Sequence, residues 1–153
     1  MNNKLNLKEK FFPLYRGRTC DGQWQYGVYI PKILRGALCK VPQIFDGETF
    51  HPVEYATIGR SAGCDKNSNL VFEDDVIKFT LTDEDSTHVE SMLVCWSFNI
   101  SGFLLYSNRA ELPVDFDCGV TDGEVIGNIH DNPELLELFK NTVEIINADN
   151  SGV

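Results

Sequence analysis

The 153-residue sequence has no apolar run long enough to cross a bilayer. Its longest, residues 92–96, falls far short of the about 20 residues that a spanning helix needs. Residues 1–10 are polar with interspersed Lys and no apolar stretch follows them, so no signal peptide is expected there. A cytoplasmic protein with no membrane contact is the expectation. The five cysteines (Cys20, Cys39, Cys64, Cys95, Cys118) form no CxxC pair, and His51, His88 and His130 stand at no ligand spacing to them. Reduced, mostly buried thiols are therefore expected, with neither a zinc site nor a disulfide framework. There is no G-x-S-x-G elbow, and residues 59–63 lack both the glycines and the Lys-Ser/Thr of a phosphate-cradling loop. Cys64 lies in a polar stretch and is expected to be the most exposed cysteine, yet nothing in the sequence sets a His beside it. No catalytic residue, cofactor or metal is assigned, and the chain is read as a non-enzyme.

Basic residues are scarce in one half only. Residues 1–70 carry ten Lys and Arg against six Asp and Glu, whereas residues 71–153 carry three against seventeen, within a net charge of −10. An acidic chain is repelled by phosphates at long range, so nucleic acid is disfavoured as a partner. Regions of opposite sign instead suit contact within the fold or between copies.

The acidic stretches are where a metal site would have to lie. Asp65-Lys66-Asn67-Ser68-Asn69 begins like an EF-hand loop, but Leu70 and Val76 stand where that loop needs Gly and Glu. A polar turn is the better reading. Glu73-Asp74-Asp75 and Asp83-Glu84-Asp85 are contiguous, and neighbours along a strand point to opposite faces, so solvated loops are expected. A divalent-metal hydrolase built on them is the remote alternative.

The residues that are present read mainly as strands. Asp21-Gly22 predicts a hairpin turn between residues 14–19 and 23–30. Along the second arm Trp24, Tyr26, Val28 and Ile30 alternate with Gln23, Gln25, Gly27 and Tyr29, which predicts that the first set faces the core. Residues 31–56, broken by Pro and Gly, suggest short strands and loops, and 61–69 a turn. Residues 70–81, 88–98 and 103–107 read as strands, the last two joined by a hairpin at 99–102. Residues 109–121 look irregular.

Near the end, Val125 and Ile126 lie between Asp122-Gly123 and Gly127 and predict a short strand. Asn132-Pro133-Glu134 then predicts a helix start, with the Asn side chain accepting from a free N–H and Pro at the first position. Leu135, Leu136, Phe139 and Val143 fall at helical spacing.

The run from Val125 to Leu136, Val-Ile-Gly-Asn-Ile-His-Asp-Asn-Pro-Glu-Leu-Leu, resembles the C-terminal signature of the YopX-like proteins encoded by phages and prophages. Thr57-Ile58-Gly59-Arg60, Asp65-Lys66-Asn67 and residues 71–79 resemble that family's central turn-and-strand motif. Tyr15-Arg16-Gly17, Gly22-Gln23-Trp24 and residues 26–30 resemble its N-terminal hairpin. Ala62, Ser68 and Asp74 depart from it, standing where the family has glycine. The resemblance implies a β-rich fold and no established activity, with Asp65, Asn67, Glu73, Asp75, Gly127, Asn128, Asn132 and Pro133 as structural signature positions.

The expected fold is α+β and mostly β: a small antiparallel β-barrel-like core with a short C-terminal strand-turn-helix unit. It occupies residues 11–146 as one domain, between a flexible arm at 1–10 and a flexible tail at 147–153. The expected role is that of a phage or prophage accessory protein that binds a host or phage protein or forms a homo-oligomer. A small nucleic-acid-binding β-barrel is the alternative.

Overall fold

Asp21-Gly22 reverses the chain where the sequence places the first turn. The structure, a computed structural model, describes residues 14–31, 41–109, 113–116, 119–120 and 122–140. The expected arm at 1–10 and tail at 147–153, with Cys39, Cys118 and Val143, lie outside the described residues. The chain divides into two compact units, residues 1–58 and 59–153. In the first, β1 (Tyr15–Arg18), β2 (Trp24–Ile30), β3 (Gln43–Phe45) and β4 (Phe50–Pro52) form an antiparallel meander in chain order. Asp46 closes the β3–β4 turn by accepting from the Glu48 and Thr49 N–H groups at 2.8 Å each, and its other oxygen meets His51 Nε2 at 2.7 Å. These bonds, led by the one from Thr49, pull the Asp46 pKa down to about 2. A 3-10 helix, Tyr55–Thr57, follows.

The apolar stripe of β2 does not face a core as expected. Tyr26 and Val28 are exposed, and Trp24 and Ile30 are only half-buried. The other face carries the packing: Tyr29 lies opposite Ile44, which is fully buried, and Gly17 abuts the buried Val53. Gly27 explains the inversion. A Cβ there would lie 2.0 Å from the Phe45 carbonyl oxygen, so the side allotted to solvent is the side where backbones meet.

In the second unit β5 (Gly59–Cys64) pairs with β6 (Leu70–Phe72), so β5 runs to Cys64 where a turn was expected from residue 61. The chain then turns a corner at Glu73-Asp74, which splits the single strand expected over 70–81 and sends it into a different sheet. That sheet contains β7 (Asp75–Thr82), β8 (Thr87–Ser97), β9 (Gly102–Ser107), β10 (Val114–Phe116) and β12 (Glu124–Asn128), in the antiparallel order β10-β9-β8-β7-β12. A two-residue strand, β11 (Gly119–Val120), runs parallel to β5. The stretch expected to be irregular thus contributes two short strands. The fold is mostly β, but no closed barrel forms among the described residues: β10 and β12 remain the two edges of the five-stranded sheet.

Both faces of that sheet are covered, which is why the neighbours Val76 and Ile77 are both fully buried. Ile77 joins Ala62, Val71, Val94, Phe103, Leu105 and Phe116 on one side. Val76 joins Leu93, Cys95, Leu104, Tyr106 and Phe139 on the other. Phe139 comes from the C-terminal 3-10 helix Pro133–Phe139, and the continuation expected to Val143 lies outside the described residues. Pro133 does stand at its start, but the Asn132 side chain makes no capping bond. Its 3-10 turns are held by the burial of Phe139 and the packing of Leu135.

The β7–β8 pair outlasts its neighbours among the described residues, although Phe79 still packs on the core and Ser91 and Glu90 still bond Asn108 and Ser107. β12 stops pairing at Lys78 and β9 at Met92, while β7 and β8 stay paired out to Thr82 and Thr87. The end of the β7–β8 hairpin, residues 80–89, therefore projects as two strands, tipped by Asp83-Glu84-Asp85.

Candidate functional site

The eight signature residues converge on one join in the second unit, where the β5–β6 turn and the β6–β7 corner meet β12 and the turn after it. Asp65, 1% exposed, is the centre of the first half. Its Oδ1 accepts from the Asn67 and Asn69 N–H groups at 2.9 and 2.8 Å. Its Oδ2 accepts from the Asn69 side chain at 3.1 Å and from the Val125 N–H, sixty residues away, at 3.2 Å. Burial opposes the charge on Asp65, but these bonds, led by those from Asn69, outweigh it and lower its pKa. The Lys66 N–H reaches the Gly123 carbonyl at 3.0 Å and its ammonium pairs with Glu124 at 3.1 Å. The turn that resembles a calcium loop thus spends its carboxylate on backbone.

The corner uses its three acids separately. Glu73 accepts from the Arg60 N–H at 3.2 Å and from its guanidinium at 3.1 Å. Burial raises the Glu73 pKa, and the Arg60 contacts only partly offset it. Arg60 in turn lies over Trp96, 4.6 Å from the ring centroid. Asp75, buried, accepts from the Phe72 N–H at 2.8 Å. Asp74 N–H reaches the Val94 carbonyl at 2.9 Å, its own carbonyl accepts from Ile129 at 3.1 Å, and its carboxylate meets His130 Nε2 at 2.8 Å.

On the β12 side, Gly127 sits at a bulge, and a Cβ there would fall 2.4 Å from Asn132 Oδ1. Asn132 lies over Gly127 and does not cap the helix, which corrects the expected cap. Asn128, buried, accepts from the His130 and Asp131 N–H groups at 3.0 and 2.9 Å, and so shapes the turn before Pro133. The arrangement acts as a lock: its carboxylates and amides satisfy backbone donors and fix two sheet edges to each other.

Two features of this join have no local sequence signal. One is the Asp74–His130 pair, whose members lie far apart in the chain. The other is backbone conformation. Ser68 and Asp74 adopt φ of +67° and +72°, left-handed conformations at two of the three positions where the resemblance implied glycine. Ala62, the third, is a buried core residue. Among the described cysteines Cys20 is the exposed one, Cys64 is half-buried at the end of β5, and Cys95 is buried. Burial, followed by the charges of Asp74 and Glu73, pushes the Cys95 thiol pKa up. Among the described residues no group of three or more His, Cys, Asp and Glu is placed to hold a metal ion.

The first unit presents a different surface. Across three strands Val28 lies opposite Phe45 and Phe45 opposite Phe50, so the three share a face with Tyr26. Tyr26, Val28 and Phe50 are 38%, 43% and 54% exposed. At the adjoining end Trp24 lies under Arg16 and Arg18, 4.6 and 5.9 Å from its centroid.

A family model described as YopX protein matches residues 36–137, two thirds of the chain. No curated protein and no solved structure matches it. The match takes in the central and C-terminal signature blocks and the join that they build, and on that ground the chain belongs to the YopX family.

Proposed function

We propose that this is an accessory protein of a phage or prophage that acts by binding protein, a second copy of itself included, and not by catalysis. The observation that carries this reading is the exposed face of β2–β4. Tyr26, Val28 and Phe50 together leave apolar surface in water on a sheet whose opposite face is packed, the pattern of a contact surface. The join of signature residues supports it from the other side, because its polar groups are engaged in holding the fold. Light scattering after size exclusion tests the reading. A mass that is a multiple of 17.3 kDa, or a captured partner lost on replacing Val28 and Phe50 by Ser, is the expected result. A monomer that captures nothing overturns it.

The stacking of Arg18 on Trp24, beside the exposed Tyr26, favours one second reading, a platform for single-stranded nucleic acid. Fluorescence anisotropy with labelled single strands at low salt decides it: no change at micromolar protein removes it.

A further inference from the structure

We infer that the turn at residues 65–68 guards the outer edge of β12, keeping that strand from pairing with a strand of a second copy. The inference stands apart from the contact surface on β2–β4, which belongs to the other unit.

β12 is an edge strand of the five-stranded sheet, with β7 on one side. Its sequence suits pairing: Val125 and Ile126 are β-branched, and Ile126 is exposed. An edge of this kind presents a row of N–H and C=O groups on which another strand can build. In an antiparallel sheet alternate residues turn their backbone groups outward, and on β12 such groups are taken at both ends. The Gly123 carbonyl accepts from the Lys66 N–H at 3.0 Å, and the Val125 N–H donates to Asp65 Oδ2 at 3.2 Å. The Asn128 carbonyl accepts from the Asn132 N–H at 2.9 Å. Between them the bulge at Gly127 breaks the register that a new strand would need.

The turn imitates one step of a parallel ladder. Lys66 supplies the donor, and the Asp65 carboxylate stands where a neighbouring strand would set its carbonyl. β11 and β5 already run parallel just upstream, Gly119 opposite Gly63 and Val120 opposite Cys64, so the turn continues a pairing that the chain has begun. The Lys66 ammonium, 3.1 Å from Glu124, sets a charge along the same edge. Edge lysines and covering loops are both common bars to intermolecular pairing. The Ser68 N–H donates to the Asp65 carbonyl at 3.0 Å, which makes Lys66 the second residue of the turn.

Lys66→Pro tests the guard. Proline suits the second position of such a turn, so the variant keeps the Asp65 acceptors and loses the N–H that occupies the Gly123 carbonyl. Asp65→Ala opens the Val125 side. Val94→Ala, in the core on β8 and two strands in from β12, is the control for lost stability. Light scattering and the infrared band of intermolecular strand pairing are followed against concentration, each full chain at the temperature that leaves the same fraction folded by circular dichroism. Association through the β2–β4 face is common to all four chains and forms no strand pairs at β12. The expected result is that Lys66→Pro and Asp65→Ala form intermolecular strands at roughly tenfold lower concentration than wild type and Val94→Ala, as one unsatisfied edge group implies. Equal thresholds in all four chains overturn the inference. Should Asp65→Ala not fold, Lys66→Pro decides alone. A Lys66→Pro chain that does not fold also overturns it, because the turn would then be needed for folding itself and not for guarding an edge.

Discussion

Asp65 and Asp83 begin two hairpin turns with the same local chemistry and opposite fates. Each accepts from the N–H two residues on, Asp65 from Asn67 at 2.9 Å and Asp83 from Asp85 at 3.1 Å. Each also has a lowered pKa; for Asp83 the bonds from Asp85 and Ser86 cause it, while for Asp65 they must first overcome burial. Asp65, however, is buried and extends its bonding to Val125, whereas the Asp83 turn is exposed throughout. One turn is part of the lock, and the other is left in solvent at the end of a hairpin. A local motif thus fixes the shape of a turn, and only long-range contacts decide whether that turn carries the fold.

The largest expected effect is at the buried turn. Asp65→Ala strips acceptors from the Asn67, Asn69 and Val125 donors and costs about 3 kcal/mol, read as a lower urea midpoint. Gly127→Ala, which forces Asn132 away from the bulge, costs about 2 kcal/mol on the same measure. The pH dependence follows from the sign of each shift. The Asp65 pKa is depressed, so its contribution is complete above the ordinary 3.8 and is lost as the pH falls through the lower folded value. Asp65→Asn should flatten the stability curve in that acid window. Glu73 works in the opposite sense: its raised pKa favours the fold below the ordinary 4.5, a contribution lost as the pH rises through the folded value.

Smaller effects sharpen the contrast. Ser68→Gly relieves a left-handed φ of +67° and should stabilise by about 0.5 kcal/mol after the added chain entropy is subtracted. Asp83→Asn should leave the urea midpoint unchanged, because the acceptor survives and nothing else rests on it.

Much of this fold is legible in the sequence, because strand periodicity and turn residues are local. The hairpin at Asp21-Gly22, the strand over 88–98 and the strand before Gly127 all follow from such signals. Three things are not local. Which face of β2 is buried depends on the approach of Gly27 to Phe45 across the sheet, so a run of Trp, Tyr, Val and Ile points the wrong way. The corner at Glu73-Asp74 breaks an alternating strand because Asp74 bonds to Val94 and Ile129, neither adjacent in sequence. And Asn132 reads as a cap from its neighbours but packs over Gly127. For the candidate site, the resemblance pointed to these turns, and Ser68 and Asp74, where it implied glycine, adopt left-handed backbone. The Asp74–His130 pair, fifty-six residues apart, was not legible.

Hydrogen exchange read by mass spectrometry tests the contrast between the two turns most directly. The amides of residues 67–69 and of Val125 should be protected, while those of residues 83–86 should exchange fast. Protection at 83–86 equal to that at 67–69, or fast exchange around Asp65, would contradict the account.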